Sequence, residues 1–438
     1  MGKTSSLVQK HLIKRSVLSY LLYPLSVPNY LVQVLRRKYI KALPSNGRAK
    51  ILSVGNIVCG GSGKTPVTIA LAKALAARGF RVAVSHRGYK GQLENRPQLI
   101  SDRKGLISGL PGSGESPYEL AGDEAMLLAK ELKGIPVVVG KARRQAIRIV
   151  NTHFPDTDII ILDDSFQHLK VKHDADVIVF SDEVGIGNGF LLPAGYLREP
   201  LSSIKPEHIV IINCKRQRDT NSTRNTGFNR SVLPDSSGCA VNALDSRSKS
   251  GMTEKVGGLD SRSKSGMTER VGGLDSRSKS GMTERVGGLD SRSKSGMTEL
   301  RTGFKQVFQA RSAITEFISG TGHSLVIELL KQHPVLLVSG IAFPDSFEEM
   351  IRELGIEIFQ HIKYPDHYKY SRKDVLDWIS LIQNKELKYI MTTAKDSVKL
   401  LRYKELESVL VTAQLQTEFD EKEKLISLII GSLGLIHA

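Results

Sequence analysis

The front of this sequence contains no acid. The first Asp or Glu of the 438-residue chain is Glu94, whereas residues 1–50 carry ten Lys and Arg. Cysteine is scarce as well: Cys59, Cys214 and Cys239 are odd in number and far apart, which suits neither a disulfide framework nor a zinc cluster and fits a reducing cytosol. Long apolar runs are also missing. No stretch approaches the ~20 uninterrupted apolar residues that cross a bilayer, and Pro24 and Pro28 break the most apolar segment. No small-residue cleavage site is found after an apolar core, so a secretory signal is not expected. The opening "MGKTSS" has the form of an N-myristoylation site, a short match that carries little weight.

What is present is a globular composition, 40% hydrophobic, with a formal charge of +17. Such a charge points to nucleic acid or an anionic membrane, and its place decides between them. It sits in an apolar, aromatic-bearing N-terminal segment, "HLIKRSVLSYLLYPLSVPNYLVQVLRRKYIKAL". That pattern suits a helix lying in a membrane interface, or equally a basic helix packed on its own domain. No basic-aromatic recognition motif lies elsewhere in the chain, so nucleic acid is not expected as a partner.

From residue 51, β-branched runs alternate with amphipathic helical patterns: "ILSVG", "FRVAVS", "IPVVVG", "DIIILDD", "ADVIVFS" and "HIVIIN". This predicts an α/β lobe with a mostly parallel sheet covered on both faces. Residues 244–299 repeat the unit "LDSRSKSGMTE[KR]VGG". Each unit is too poor in apolar side chains to offset the entropy of ordering, so the segment reads as a disordered linker. Order resumes near Phe304 with the strand and helix patterns of a second, smaller α/β lobe.

The chemistry begins at "SVGNIVCGGSGKTP". Gly60, Gly61, Ser62 and Gly63 form a strand-to-helix turn suited to cradling an anion, Lys64 reaches terminal phosphates, and Thr65 offers a hydroxyl to magnesium. The first glycine of the usual pattern is replaced by Val58. "DIIILDD" supplies a second metal partner as Asp163 or Asp164. Asp123 and Glu124 open a helix, where carboxylates often serve only as caps. His367 lies in the loop "YPDHYKYS", Arg198 in the apolar loop "LLPAGYLREP", and Arg143 and Arg144 just beyond a strand end.

In order, "VGNIVCGGSGKTP", "SHRGYKG", "AGDEAMLLAK", "VVVGKARRQA", "ILDDSFQHLKVKHDADVIVFS", "GNGFLLPAGYLREPLSSIK", "SGIAFPDSFEEMIRELG", "YPDHYKYS" and "IMTTAKDSVKL" resemble the tetraacyldisaccharide 4'-kinases, the lipid A 4'-kinases of Gram-negative bacteria. The resemblance implies a P-loop NTPase-like fold using ATP and Mg2+. The expected reaction transfers the γ-phosphate to the 4' hydroxyl of tetraacyldisaccharide 1-phosphate at the cytoplasmic face of the inner membrane.

It implies Asp123 as general base, His367 as its partner from the other lobe, and Lys64 as the third catalytic residue. Gly60 to Thr65 would hold the nucleotide, and Thr65, Asp163 and Asp164 the metal. Arg143, Arg198, Glu124 and Gln167 would contact substrate. The corresponding division is a membrane-docking segment (1–46), a P-loop lobe (47–214), a linker (215–303) and the second lobe (304–438). No protein partner is expected. Two features depart from the family: the long connector, and His86 where serine is usual. The ParA and MinD type of ATPase fits less well, because its signature lysine would fall at Cys59.

Overall fold

The computed structural model describes residues 15–45, 47–107, 117–214 and 304–435. The repeats, the rest of the linker and the "MGKTSS" start lie outside the described residues.

The β-branched runs form strands because both faces are buried by helices. The first lobe contains β1 (Lys50–Gly55), β2 (Val82–His86), β3 (Gln98–Ser101), β4 (Val137–Val139), β5 (Ile159–Asp163), β6 (Ala175–Ser181) and β7 (Ile209–Cys214). Its helices are α1 (Val17–Tyr39), α2 (Lys64–Ala77), α3 (Pro117–Ala121), α4 (Asp123–Glu131) and α5 (Arg143–His153). β1 lies between β5 and β6, parallel to both. Strand order therefore reverses beside the end of β1, the usual place for a ligand crevice in such sheets.

Beyond the linker come β8 (Val307–Ser319), β9 (Ser324–Leu325), β10 (Val335–Ser339), β11 (Ile358–Lys363), β12 (Tyr389–Thr393) and β13 (Leu410–Phe419). The helices here are α6 (Ile327–Lys331), α7 (Pro344–Glu353), α8 (Arg372–Asn384), α9 (Ala394–Leu400) and α10 (Lys422–Ser432). The two lobes share one 13-stranded sheet. β8 joins them: its first half pairs parallel with β7 and its second half antiparallel with β13. α10 returns to the first lobe, where Leu425, Ile426, Ile429 and Ile430 join the core that holds Leu71 and Leu75 of α2. These apolar positions form one helical stripe, and α2 presents the matching face.

α1 is inverted relative to an ordinary surface helix. Ser19 and Ser26 are 0% and 3% exposed, whereas Val17 and Leu21 are 79% and 70% exposed. The polar stripe is what docks. Ser26 Oγ donates to the Leu191 carbonyl at 2.8 Å, Asn29 Nδ2 to the Leu192 carbonyl at 3.0 Å, and Arg37 Nε to Glu199 Oε2 at 2.6 Å. Arg37 also lies 4.5 Å from the centre of the Phe166 ring. Glu199 is buried, so losing Arg37 would strand a buried charge, typically costing ~3–5 kcal/mol. Pro24 and Pro28 do not break the helix, which is continuous through both. No described helix is long and apolar enough to cross a membrane.

Candidate active site

The turn after β1 begins with an explanation for Val58. Cys59 N–H donates to the Tyr196 carbonyl at 2.9 Å and Arg198 N–H to the Ile57 carbonyl at 2.7 Å, with Val58 and Leu197 forming an antiparallel bridge between them. A buried, β-branched residue suits that bridge, so the curl needed for an anion starts two residues later at Gly60. Gly63 then caps α2 with φ of 77°. A Cβ there would sit 2.1 Å from Asn213 Nδ2, so backbone and space both require glycine.

Lys64 Nζ lies 3.4 Å from Asp164 Oδ1. Asp163 is buried behind it and accepts from Thr68 Oγ1 at 2.9 Å and Thr65 Oγ1 at 3.3 Å. Burial raises the Asp163 carboxyl above its ordinary range. Burial pushes Asp164 upward too, but Lys64 and Arg198 outweigh it and hold that group low. Asp164 takes a left-handed φ of 50°, and its buried Oδ1 accepts no hydrogen bond. Such backbone strain is usually retained where function requires it.

The second half of the site comes from both lobes. Asp123 is the first residue of α4 and is 7% exposed. His367 Nδ1, in the loop after β11, lies 3.0 Å from each of its carboxylate oxygens. His367 has a φ of 60°, and its N–H donates to the Gly340 carbonyl at 3.3 Å. Burial pushes the Asp123 carboxyl up, yet the His367 hydrogen bond and the Lys395 and Lys399 ammoniums prevail and hold it at about 2. This folded-state value lies below the ~4 of a free carboxyl. Its anion therefore stabilises the lobe contact above about pH 4, a contribution lost as the pH falls through about 2.

A cleft of about 1700 Å³ connects the two halves and is lined by the Gly60–Thr65 turn, Asp164, Arg198, Glu124, His367 and Lys395 among others. Asp123 is absent from that lining and stands behind the imidazole. Of the expected catalytic pair, His367 lines the cleft, and Asp123 is joined to it through the imidazole Nδ1.

Two expected substrate contacts also lie elsewhere. Arg143 is 2% exposed and absent from the cleft lining, donating to Ser85 Oγ at 3.1 Å and to the Asp163 carbonyl. Burial lowers its guanidinium to about 10, against the opposing pull of Asp163 and Asp164. It is a buttress for the strand end, because an arginine opening α5 beside β5 finds the carbonyl of Asp163 before it finds solvent. Gln167 Nε2 donates to the Asn56 carbonyl, likewise outside the cleft lining.

The sequence reading missed Lys395 and Lys399. Lys395 Nζ lies 3.1 Å from both Glu124 and Asp366 and 3.4 Å from His367 Nε2. Burial works against its charge, but Glu124, Asp123 and Asp366 hold its pKa above the ordinary value. The available signal was the four-residue spacing in "AKDSVKL", which puts both lysines on one face of a helix capped by Thr393. His86 also finds a place: its Nδ1 accepts from Gly88 N–H at 2.9 Å, leaving Nε2–H for Glu124 Oε2 at 3.3 Å.

The family model described as "Tetraacyldisaccharide-1-P 4'-kinase" matches residues 18–257 and 289–433. The chain is 28% identical over 392 residues to the tetraacyldisaccharide 4'-kinase of Pelobacter propionicus, covering 88% of this chain and 84% of that protein. For the enzyme of the same name from Syntrophus aciditrophicus the figures are 28% over 351 residues, with 79% and 74% covered. The Halothermothrix orenii enzyme is 40% identical over 171 residues, a stretch covering 39% of this chain and 42% of that protein. The crystal structure of Aquifex aeolicus LpxK in complex with ATP superposes with a TM-score of 0.62 at 22% identity, covering 95% of this chain and all of that one, 100%. The chain belongs to the tetraacyldisaccharide-1-P 4'-kinase family.

Proposed function

We propose that the chain moves the γ-phosphate of ATP to the 4' hydroxyl of tetraacyldisaccharide 1-phosphate at the cytoplasmic face of the inner membrane. One observation carries this reading: the P-loop with Lys64 from the first lobe and His367 from the second line the same cleft, with His367 paired to Asp123 behind it. Phosphoryl transfer needs positioning and charge neutralisation more than covalent chemistry. Gly60 to Thr65 cradle the phosphates, and Lys64 neutralises the transferring group. His367 takes the proton from the attacking hydroxyl through the ring nitrogen that faces the cleft, and the Asp123 anion orients the ring and offsets the charge it gains. Arg198 and Glu124, both on the cleft wall, receive the sugar and its phosphate.

The residues also suit magnesium. Thr65, Asp163 and Asp164 offer hard oxygens, and Asp164 Oδ1 is buried without a hydrogen bond. Among the described residues no cluster of three His, Cys, Asp or Glu side chains could hold a metal. Magnesium ordinarily keeps several waters and phosphate oxygens among its ligands. When bound, magnesium would neutralise charge on the nucleotide phosphates.

α1 supplies the route to the lipid. Its leucines and tyrosines face outward, Arg36 and Lys38 sit at its C-terminal end, and this geometry favours an interfacial helix with lipid phosphates near the cations. It docks on the loop that carries Arg198 into the cleft. The test is turnover: purified full chain, detergent-dispersed tetraacyldisaccharide 1-phosphate, magnesium and labelled ATP should yield a lipid labelled at the 4' position. Label appearing only in free phosphate would remove the lipid from the reading.

A further inference from the structure

We propose that Lys399 is a positioning residue that locks His367 and Asp123 together across the two lobes. This rests on the function proposed above and concerns a side chain to which that reading gives no role. Lys399 is buried, 3% exposed, and does not line the cleft. Within the second lobe it is fixed by Asp396 Oδ1 at 2.8 Å, by the Tyr368 carbonyl at 3.3 Å and by the Tyr370 ring at 5.2 Å. Its remaining reach is to the first lobe, where Nζ lies 3.4 Å from Asp123 Oδ2.

The same cation acts on the other partner through Asp396. Asp396 is buried, and its Oδ2 accepts from Gly340 N–H at 2.9 Å and from Thr393 Oγ1 at 2.9 Å. The Gly340 carbonyl in turn accepts the N–H of His367, whose left-handed backbone needs such support. Asp123 and His367 therefore hang from opposite ends of one buried ion pair. A buried ammonium is expensive unless carboxylates surround it, and Lys399 has one from each lobe. Its second carboxylate arrives only when the lobes meet, which ties assembly of the Asp123–His367 pair to that contact.

The groups facing the pair are Lys395 and Lys399 from α9, Asp366 from the loop of His367, Glu124 from α4, and the Tyr89 and Tyr370 rings. Removing one of the two cations makes the pair hold a proton more tightly, so the sign of any pH effect is fixed.

The test uses the full chain in the lipid-kinase assay. Lys399→Met should lower kcat about 10²-fold, the scale of an ångström-level misplacement, and move the acid limb of the kcat profile to higher pH. KM for ATP should stay within about threefold, because the P-loop is untouched. Lys399→Arg, which keeps the charge, should recover at least about tenfold of that loss and return the limb. A kcat within about threefold of wild type, or a loss with an unmoved limb that arginine does not recover, would overturn the proposal. If Lys399→Met does not fold, the isosteric Asp396→Asn decides: a fall in kcat with ATP affinity retained supports the lock, and unchanged kcat refutes it. Should the wild-type chain phosphorylate no lipid, the proposed function fails on its own account. The lock is then judged by 13C titration of the Asp123 carboxyl, which must occur at higher pH in Lys399→Met than in wild type if Lys399 acts on it.

Discussion

Lys64→Ala should lower kcat/KM by about 10³-fold, the scale of losing one preorganised charge contact at a developing phosphoryl transition state. The ammonium is held on site by Asp164 at 3.4 Å, with its backbone fixed as the first residue of α2. Alanine keeps the helix, so the fold should survive and the loss should appear in catalysis. Removing Lys64 also takes away a counter-charge 3.4 Å from Asp164, leaving Arg198 at 4.0 Å, so the Asp164 carboxyl should titrate higher than in wild type. Matched thermal melts and single-turnover rates check both points. A variant with near wild-type turnover would show that the turn holds no reacting phosphate.

The second large effect concerns α1. Leu21, Leu25, Leu31 and Leu35 are 70%, 61%, 52% and 49% exposed. Changing all four to serine removes about 1 kcal/mol each from a half-immersed face, about 10³-fold in vesicle partitioning. Since none of the four contributes to the polar docking stripe, the melting temperature should hold and turnover on detergent-dispersed lipid should persist. Flotation with anionic vesicles measures the first, the kinase assay the second. Unchanged flotation would assign the outward leucines to some other contact. A collapse of stability would show that they pack against the protein.

The two expectations differ in how far the sequence carried them. The strand and helix flanking the Gly60–Gly63 turn, the strand that ends in Asp163 and the helix that opens at Asp123 were legible because periodicity and glycine placement are local signals. β8 was not. Its residues alternate weakly, and it exists because β7 and β13 offer edges from two different parts of the chain. α1 showed its composition but not its orientation: only the docked partners Leu191, Leu192 and Glu199 reveal that its polar stripe faces inward.

At the site, the sequence shows residue types but not the directions their side chains take. Asp123 and His367 stand 244 positions apart in sequence, so their meeting rests on tertiary structure, as does the reach of Lys399 to Asp123. Arg143 illustrates the reverse. An arginine just beyond a strand end reads like a phosphate ligand, yet in the folded chain the nearest acceptors are Ser85 and the Asp163 carbonyl. Its direction depends on α5 packing against the sheet, which local sequence does not encode.

The proposed reaction depends on a unit assembled from both lobes. A double-mutant cycle on Asp123 and His367, read in kcat/KM for the lipid, tests it most directly. Asp123→Ala and His367→Ala should each lower kcat/KM by about 10²–10⁴-fold, and the double variant should be no worse than the poorer single one, as for residues that act together. Losses that simply multiply would contradict the account, because two independent groups would then be doing separate chemistry.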